Sequence, residues 1–358
     1  MSRVRVLVVE DSATVRQRLV ETLAADPDID LIGEAEDGKQ AVDMCMRHRP
    51  DVITMDMMMP VMSGLAATEY IMAHQPTPIL IVSASLNRGE LFKIYDALSA
   101  GAVDVLEKPT GEELHGAWER RLLSAVKLVA KIKVITHPRA KLEVRRRQLE
   151  ASVHVPGGPA RPSPAPIDIV AIGASTGGPG AVVEVIRRLP ARFQIPILVV
   201  VHMNVPFGSA FTDWLDAQIE RPASAPENGA PVASARGRVI VAPSGQHIEV
   251  RGGRMFLTLD AERHSCRPSV DVLFETIAAD YGASAAACLL TGMGRDGALG
   301  LLKIRESGGT TIAQDEATSV IYGMPREAAA LGAAIHVLPL SEIGPRLAAL
   351  QGPTMETV

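Results

Sequence analysis

The stretch VRVLVVEDSATVRQRLVETLA, residues 4–24, decides the fold of the first half of the chain. It begins with a mostly apolar run of the length that buried strands have, and Glu10 and Asp11 follow the run. Residues 13–24 then place apolar side chains three or four positions apart, which predicts an amphipathic helix. The stretch therefore predicts a β-strand followed by a helix, with two acids at the carboxyl end of the strand.

The same alternation continues to about residue 123. Further apolar runs predict strands at Leu31–Ala35, Val52–Met55, Ile79–Val82 and Val103–Leu106, with helical patterns between them. Five such units predict a parallel sheet with helices on both faces. Ligands of such sheets bind beyond the carboxyl ends of the strands.

The composition changes between residues 124 and 166, which we interpret as a linker. Residues 132–166 hold mostly basic charges, and prolines recur from Pro156 to Pro166. Residues 141–150 favour a short helix. The basic character suits either a solvated tether or a partner contact.

The strand–helix alternation resumes at residue 167 and continues to the C-terminus at residue 358. Arg251-Gly252-Gly253-Arg254 lies between alternating runs and predicts an added antiparallel hairpin. The second half is therefore predicted to be a doubly wound, mostly parallel α/β domain. The predicted strands are Ile169–Gly173, Ile197–His202, Val239–Ala242 and Ala286–Thr291, and the predicted helices are Gly180–Leu189, Phe211–Ile219, Val270–Tyr281, Ala298–Ser307 and Arg326–Leu331.

The composition argues against several classes of protein. The net charge is −5 with a pI of about 6.0, and aromatic residues make up 3%, so nothing suggests a nucleic-acid partner. We find no apolar run long enough for a membrane span and no signal-peptide pattern. The cysteines lie far apart, without zinc or disulfide spacing. We expect a cytoplasmic monomer.

Five polar residues follow predicted strands of the first half. Glu10 and Asp11 follow the first strand, Asp56 the third, Ser83 the fourth and Lys108 the fifth. Parallel strands bring these residues to one edge, where three carboxylates would need a hard cation such as Mg²⁺. A carboxylate can form an acyl phosphate, and Asp56 is best placed to do so. Lys108 and Ser83 could then bind the phosphoryl oxygens.

This half resembles a response-regulator receiver domain, which has a flavodoxin-like (βα)5 fold. The resemblance implies that Asp56 is the phosphoacceptor, that Glu10, Asp11, Asp56 and the Met58 backbone carbonyl bind Mg²⁺, and that Ser83 and Lys108 sense the phosphate. Ser63 and Val105 depart from the usual Asp and aromatic residue. The resemblance rests on Val-Glu-Asp-Ser at 9–12, Glu-Asp-Gly at 36–38, Met-Asp-Met-Met-Met-Pro at 55–60, Ser-Ala-Ser at 83–85 and Glu-Lys-Pro at 107–109.

A second candidate site begins at Gly173-Ala174-Ser175-Thr176-Gly177, between a predicted strand and a predicted helix. The pattern is that of a nucleophile elbow, in which a strained turn exposes a serine hydroxyl. Two other interpretations stay open, a phosphate cradle and a packing turn. The phosphate spacings G-x-G-x-x-G and G-x-x-x-x-G-K-[ST] are both missing here, which favours the nucleophile.

A serine nucleophile needs a base and a group that orients the base. His202 ends the next predicted strand, and Asp296 lies in a glycine-rich loop after a later strand. Neighbouring parallel strands would bring Ser175, His202 and Asp296 to one edge. The order Ser, His, Asp differs from that of α/β-hydrolases, so the triad would belong to another fold.

Residues 167 to about 350 resemble the catalytic domain of protein-glutamate methylesterases, the CheB family. The resemblance implies Ser175 as nucleophile, His202 as base, Asp296 as its orienter, and the amides of Thr176 and Met293 as oxyanion hole. Val201 departs from the glutamine often found there. The matching stretches are 172–179, 201–203, 242–247, 268–271, 291–297 and 317–325.

The resemblance implies demethylation of glutamyl esters, and deamidation of glutamines, on methyl-accepting chemotaxis receptors. A chemotaxis histidine kinase would phosphorylate the receiver, which covers the serine until then. Hydrolysis itself would need no cofactor. The sequence leaves three alternatives: a response regulator with a purely binding second domain, a DNA-binding regulator and a small-molecule esterase. The intact triad argues against the first, and the absence of a basic helix-turn-helix pattern argues against the second. The fused receiver argues against the third.

Overall fold

The computed structural model describes residues 3–84, 88–109, 116–132, 134, 167–203, 205–208 and 210–351. The chain divides into two compact units, Met1–Ser163 and Pro164–Val358. The helix predicted within residues 141–150 lies outside the described residues. None of the helices in the described ranges is both long and apolar enough to cross a bilayer.

The first unit is a five-stranded parallel sheet with helices between its strands, as predicted. The strand order is β2-β1-β3-β4-β5. Its elements are β1 (Val4–Val9), α1 (Ala13–Ala24), β2 (Ile29–Ala35), α2 (Gly38–His48), β3 (Val52–Met55), α3 (Gly64–His74), β4 (Ile79–Ser83), α4 (Arg88–Ala100), β5 (Asp104–Glu107) and α5 (Ala117–Val129).

The central strands of this unit are buried because helices cover both faces of the sheet. Every residue of β3 and β4 is buried, which explains why their sequences are continuous apolar runs rather than alternating ones. Helix α5 extends to Val129, past the predicted domain boundary at residue 123. The two predicted boundaries, at residues 123/124 and 166/167, stay predictions.

The second unit contains a seven-stranded parallel sheet in the order β14-β13-β12-β6-β7-β9-β8, and the predicted antiparallel hairpin, β10-β11, pairs separately from it. Its elements are β6 (Ile169–Ala174), α6 (Gly178–Arg187), β7 (Ile197–Val201), α7 (Val205–Gly208), α8 (Phe211–Gln218), β8 (Ala223–Ser224), β9 (Val239–Val241), β10 (His247–Arg251), β11 (Arg254–Thr258), α9 (Val270–Tyr281), β12 (Ala285–Leu289), α10 (Ala298–Glu306), β13 (Thr310–Gln314), α11 (Met324–Ala330), β14 (His336–Leu338) and α12 (Leu340–Ala348).

The sheet order positions the second candidate site. Strand β6 lies between β12 and β7, so the loops after these three strands open at one edge. Strand β7 ends at Val201 and β12 at Leu289, so His202 and Thr291 belong to loops and not to strands as predicted. Strands β8, β13 and β14 and helices α7 and α12 were not predicted.

Candidate phosphoacceptor and active sites

Three carboxylates meet at the carboxyl edge of the first sheet. Glu10 and Asp56 are buried and Asp11 is exposed, and one donor oxygen from each lies within 4.8 Å of the others. The Lys108 ammonium joins them, with Nζ 2.8 Å from Glu10 Oε2 and 3.1 Å from Asp56 Oδ1. The structure thus brings together four residues that the sequence placed directly after β1, β3 and β5.

Burial and charge oppose each other in this cluster. Burial raises the pKa of Glu10 and of Asp56, and the Lys108 ammonium offsets only part of that rise. Burial would lower the pKa of Lys108, but its hydrogen bond to Glu10 and the Asp56 charge outweigh burial and raise it. The lysine therefore stays charged and holds the two carboxylates together.

The two oxygens of Asp56 differ in their surroundings. Oδ1 accepts a hydrogen bond from the Met57 amide at 2.8 Å and pairs with Lys108. Oδ2 has neither a hydrogen-bond nor an ion-pair partner in the described part of the chain. Oδ2 is therefore the oxygen available to an incoming phosphoryl group.

The donor set fits a small hard cation. All three donors are carboxylate oxygens, which Mg²⁺ prefers. Glu10 Oε2 is buried and makes no hydrogen bond with the described residues, although it is ion-paired with Lys108. A cation would satisfy this oxygen.

The remaining predicted residues of this site lie at the same edge. Ser83 is buried at the end of β4, and its carbonyl accepts the Lys108 amide hydrogen at 2.9 Å. Met58 lies in the loop after Asp56, and its thioether sulfur accepts from Lys93 Nζ at 3.3 Å. That the backbone carbonyl of Met58 binds the metal stays a prediction. Ser63 caps α3 by accepting a hydrogen bond from the Ala66 amide. The departure from the usual Asp at this position therefore fits a change in the turn and nothing more.

The Ser175 turn has the strand–turn–helix geometry of an elbow. Ser175 directly follows β6, and Gly177 has a φ of +76°, a left-handed conformation that favours glycine. The Ser175 amide donates to the Thr291 carbonyl at 3.0 Å, and its carbonyl accepts from the Gly178 amide. These bonds fix the turn at the edge of the sheet.

His202 and Asp296 form a hydrogen-bonded pair beside this turn. His202 Nε2 lies 2.8 Å from Asp296 Oδ2. The His202 amide donates to the carbonyl of Ala174, the residue before Ser175, at 3.0 Å. The loops after β6, β7 and β12 thus converge, as the sequence predicted.

Asp296 is held ionised by several donors. Ser269 Oγ and the amides of Val270 and Asp271 donate to its two oxygens, in addition to His202. Burial alone would raise the pKa of Asp296, but these bonds and the His202 charge outweigh burial and lower it. Because an ionised carboxylate only accepts, His202 Nε2 must carry the proton of this bond.

The imidazole tautomer follows from that bond. With the proton of the neutral ring on Nε2, the lone pair that can accept a proton is on Nδ1. Burial would lower the pKa of His202, but its hydrogen bonds with Asp296, which accepts from Nε2, and with Cys266 outweigh burial and raise the pKa to about 9. His202 is therefore a strong base whose Nδ1 is its proton-accepting atom.

Sequence reasoning missed three residues that support this site. Ser269 both caps α9 and donates to Asp296. Gln314, buried at the end of β13, accepts from the Thr291 amide at 2.8 Å. Cys266 Sγ lies 3.6 Å from His202 Nδ1. Only Ser269 had a sequence signal, because a serine directly before a helical pattern is a cap.

The amides of Thr176 and Met293 are available to an oxyanion. Neither donates a hydrogen bond within the described ranges. Gly292 precedes Met293, and a side-chain Cβ at Gly292 would lie only 2.8 Å from Ser175 Cβ. The loop that holds Met293 is therefore in contact with the Ser175 turn. Their role as oxyanion hole stays a prediction.

Comparison with known proteins matches both units. The family model for the response regulator receiver domain matches residues 6–118, and the model for CheB methylesterase matches residues 170–347. A protein-glutamate methylesterase/protein-glutamine glutaminase of Nitrosospira multiformis is 42% identical over 357 residues, 99% of each chain. One of Geobacter metallireducens is 42% identical over 352 residues, 97% of this chain and 99% of that one. The Thermotoga maritima CheB methylesterase catalytic domain covers 52% of this chain and 100% of its own, at 36% identity and a TM-score of 0.49.

The fold and the two sites define a response regulator whose second domain is a hydrolase. The matches extend through both domains and almost the whole length of the relatives. The chain belongs to the protein-glutamate methylesterase/protein-glutamine glutaminase family, the CheB family of chemotaxis enzymes.

Proposed function

We propose that this enzyme demethylates glutamate methyl esters on methyl-accepting chemotaxis receptors with Ser175, His202 and Asp296 as its triad. The observation that carries the proposal is the 2.8 Å bond between His202 Nε2 and Asp296 Oδ2, beside the Ser175 turn. That bond leaves His202 Nδ1 as the base for a serine hydroxyl. We place the reaction in the cytoplasm, where receptor tails and kinase would meet the enzyme.

The reaction begins when Ser175 Oγ attacks the γ-carbonyl carbon of the ester and His202 Nδ1 takes the hydroxyl proton. The amides of Thr176 and Met293 would bind the developing oxyanion. The carbon–methoxy bond then breaks, and His202 returns the proton so that methanol leaves. Water, activated by the same nitrogen, hydrolyses the acyl-serine to glutamate.

The same acyl-serine can form from a glutamine side chain, with ammonia as the leaving group. Because water hydrolyses the same intermediate in both reactions, one site supports methylesterase and glutaminase chemistry. We propose that the glutamines are also on chemotaxis receptors.

We further propose that a chemotaxis histidine kinase donates a phosphoryl group to Asp56, and that this raises esterase activity. Asp56 Oδ2 would attack phosphorus while Lys108 keeps its ammonium against the acceptor site. Glu10, Asp11 and Asp56 would hold Mg²⁺, with the Met58 carbonyl as a further ligand. Mg²⁺ would neutralise carboxylate charge and bind phosphoryl oxygens there. Ser83 and Lys108 would bind the phosphoryl group once it is attached.

The test is methanol release from methylated receptor membranes. We expect Ser175→Ala to reduce release at least about a thousandfold, because the acyl intermediate cannot form. The matched control is Ser307→Ala, which removes the hydroxyl of an exposed serine at the end of α10.

Equal release by wild type and Ser175→Ala would contradict the assigned nucleophile. No release from wild type, with membranes known to carry methyl groups, would contradict the esterase function itself. Circular dichroism of both variants establishes that a loss of rate does not reflect unfolding.

A further inference from the structure

A thiol lies against the proton-accepting nitrogen of the triad histidine. Cys266 Sγ is 3.6 Å from His202 Nδ1, while Nε2 is bonded to Asp296. One donor atom from each of the three residues lies within 4.8 Å of the others. A soft sulfur and an imidazole nitrogen are the ligands that zinc and related metals select.

We propose that Cys266 Sγ and His202 Nδ1 form a binding site for a thiophilic divalent metal such as Zn²⁺, and that the bound metal inhibits the esterase. The separation of the two atoms suits this role. With Zn–S about 2.3 Å and Zn–N about 2.0–2.1 Å, a tetrahedral angle puts the two ligand atoms about 3.6 Å apart. A metal could therefore bind with little movement of either side chain.

Asp296 completes the arrangement from the far side of the ring. A metal-bound histidine usually donates its other N–H to a carboxylate, which fixes the tautomer and raises the basicity of the ligand nitrogen. The His202–Asp296 bond already has this form. The metal would have two protein ligands, Cys266 Sγ and His202 Nδ1. Water would occupy its remaining coordination positions.

The site is partly accessible to solvent. The His202 side chain is 12% exposed and Cys266 is half-buried, whereas Cys45 and Cys288 are buried. Metal binding would release to water the Cys266 thiol proton and, below the His202 pKa of about 9, the proton on His202 Nδ1, with no oxidation. The receiver carboxylates offer only oxygen donors. A thiophilic metal should therefore prefer the site formed by Cys266 and His202.

Inhibition follows because the metal occupies the lone pair that would accept the Ser175 proton. This part of the proposal rests on the proposed function, whereas metal binding itself does not.

The full-length protein is titrated with Cd²⁺ in excess Mg²⁺, and cadmium–thiolate absorbance in the ultraviolet is recorded. Zn²⁺ affinity is measured by calorimetry under the same conditions.

We expect one cadmium–thiolate band in the wild type and none in Cys266→Ser. Zinc affinity should fall at least about tenfold in Cys266→Ser, and about 10- to 100-fold in Asp296→Asn, where only the outer partner changes. Cys45→Ala, which removes a buried thiol of the first unit, is the matched control and should keep both signals. For each variant, the rate of methanol release is measured with and without Zn²⁺. The ratio of these two rates should approach one in Cys266→Ser.

An unchanged band or unchanged zinc affinity in Cys266→Ser would overturn the site. A Cys266-dependent band without zinc inhibition would overturn the regulatory part. If the band depends on Cys266 but chelator-treated wild type releases no methanol, the proposed esterase fails while the metal site stands.

Discussion

At the residue scale, Asp296 determines what His202 can do. Its oxygens accept from His202, Ser269, Val270 and Asp271, so the carboxylate is fixed in place and ionised. The histidine must then present Nδ1, and not Nε2, as its basic atom. One bond pattern thus sets both the orientation and the tautomer of the base.

The raised pKa of His202 predicts the pH dependence of the reaction. A general base works only when neutral, so kcat/KM should rise with pH, reach half its maximum near the His202 pKa of about 9 and level off above it. Cys266→Ala removes one of the contacts that raise this pKa and should move the midpoint to lower pH. The measurement is a pH profile of methanol release with a chelator present, using Cys45→Ala as control.

A profile already level at pH 7, or a midpoint that Cys266→Ala leaves unchanged, would contradict this account of the base. Enzyme incubated at each pH and assayed at one common pH would separate titration from irreversible loss.

Local sequence predicted which loops hold Ser175, His202 and Asp296, because each residue follows a strand in the chain. Ser175 and His202 lie one step beyond β6 and β7, which pair through Ala174 and Val201. Cys266 and Gln314 could not be predicted in this way. Their contacts are to residues far along the chain, and only the packed loops bring them to the site.

At the element scale, the continuous apolar strands and the alternating hairpin were predicted, whereas β8, β13 and β14 were not. Strand β13, Thr-Thr-Ile-Ala-Gln, is mostly buried between β12 and β14 but begins with two threonines and ends with a glutamine. Helix α12 contains Pro345, which argues against a helix locally. Packing against the rest of the domain outweighs these local signals.

The N-terminus of α9 is hydrogen-bonded to the Asp296 carboxylate. Ser269 Oγ accepts from the Val272 amide as a helix cap and donates to Asp296 Oδ1 at 2.8 Å. Ser269→Ala should cost about 1 kcal/mol of stability through the lost cap. It should also lower kcat roughly tenfold while KM changes little, since one orienting hydrogen bond to a buried charge is lost.

Ser63→Ala is the matched control, because Ser63 caps α3 in the first unit. It should lose similar stability and keep kcat when no phosphodonor is present. Thermal unfolding and steady-state kinetics of both variants check the prediction. An equal kcat for Ser269→Ala and wild type would show that Asp296 needs no support from Ser269.

At the scale of the whole molecule, each unit carries its chemistry at the carboxyl edge of a parallel sheet. The receiver holds a lysine between two buried carboxylates, and a phosphoryl group on Asp56 would add negative charge against that lysine. Lys108 must then divide its interactions between the phosphoryl group and Glu10. Regulation requires only a coupling free energy between this change in the Lys108 contacts and the activity of the esterase.

The final prediction tests that coupling in the full-length chain. A small-molecule phosphodonor with Mg²⁺ should raise methanol release roughly 5- to 150-fold, the range of typical coupling energies. Asp56→Asn should keep the basal rate and lose the increase, because the acyl phosphate cannot form. Asp51→Asn is the matched control, since Asp51 precedes β3 while Asp56 follows it, and it should respond as the wild type does. Intact mass spectrometry follows phosphorylation. An increase that survives in Asp56→Asn would contradict the acceptor, whereas phosphorylation of Asp56 without any change in rate would contradict the coupling.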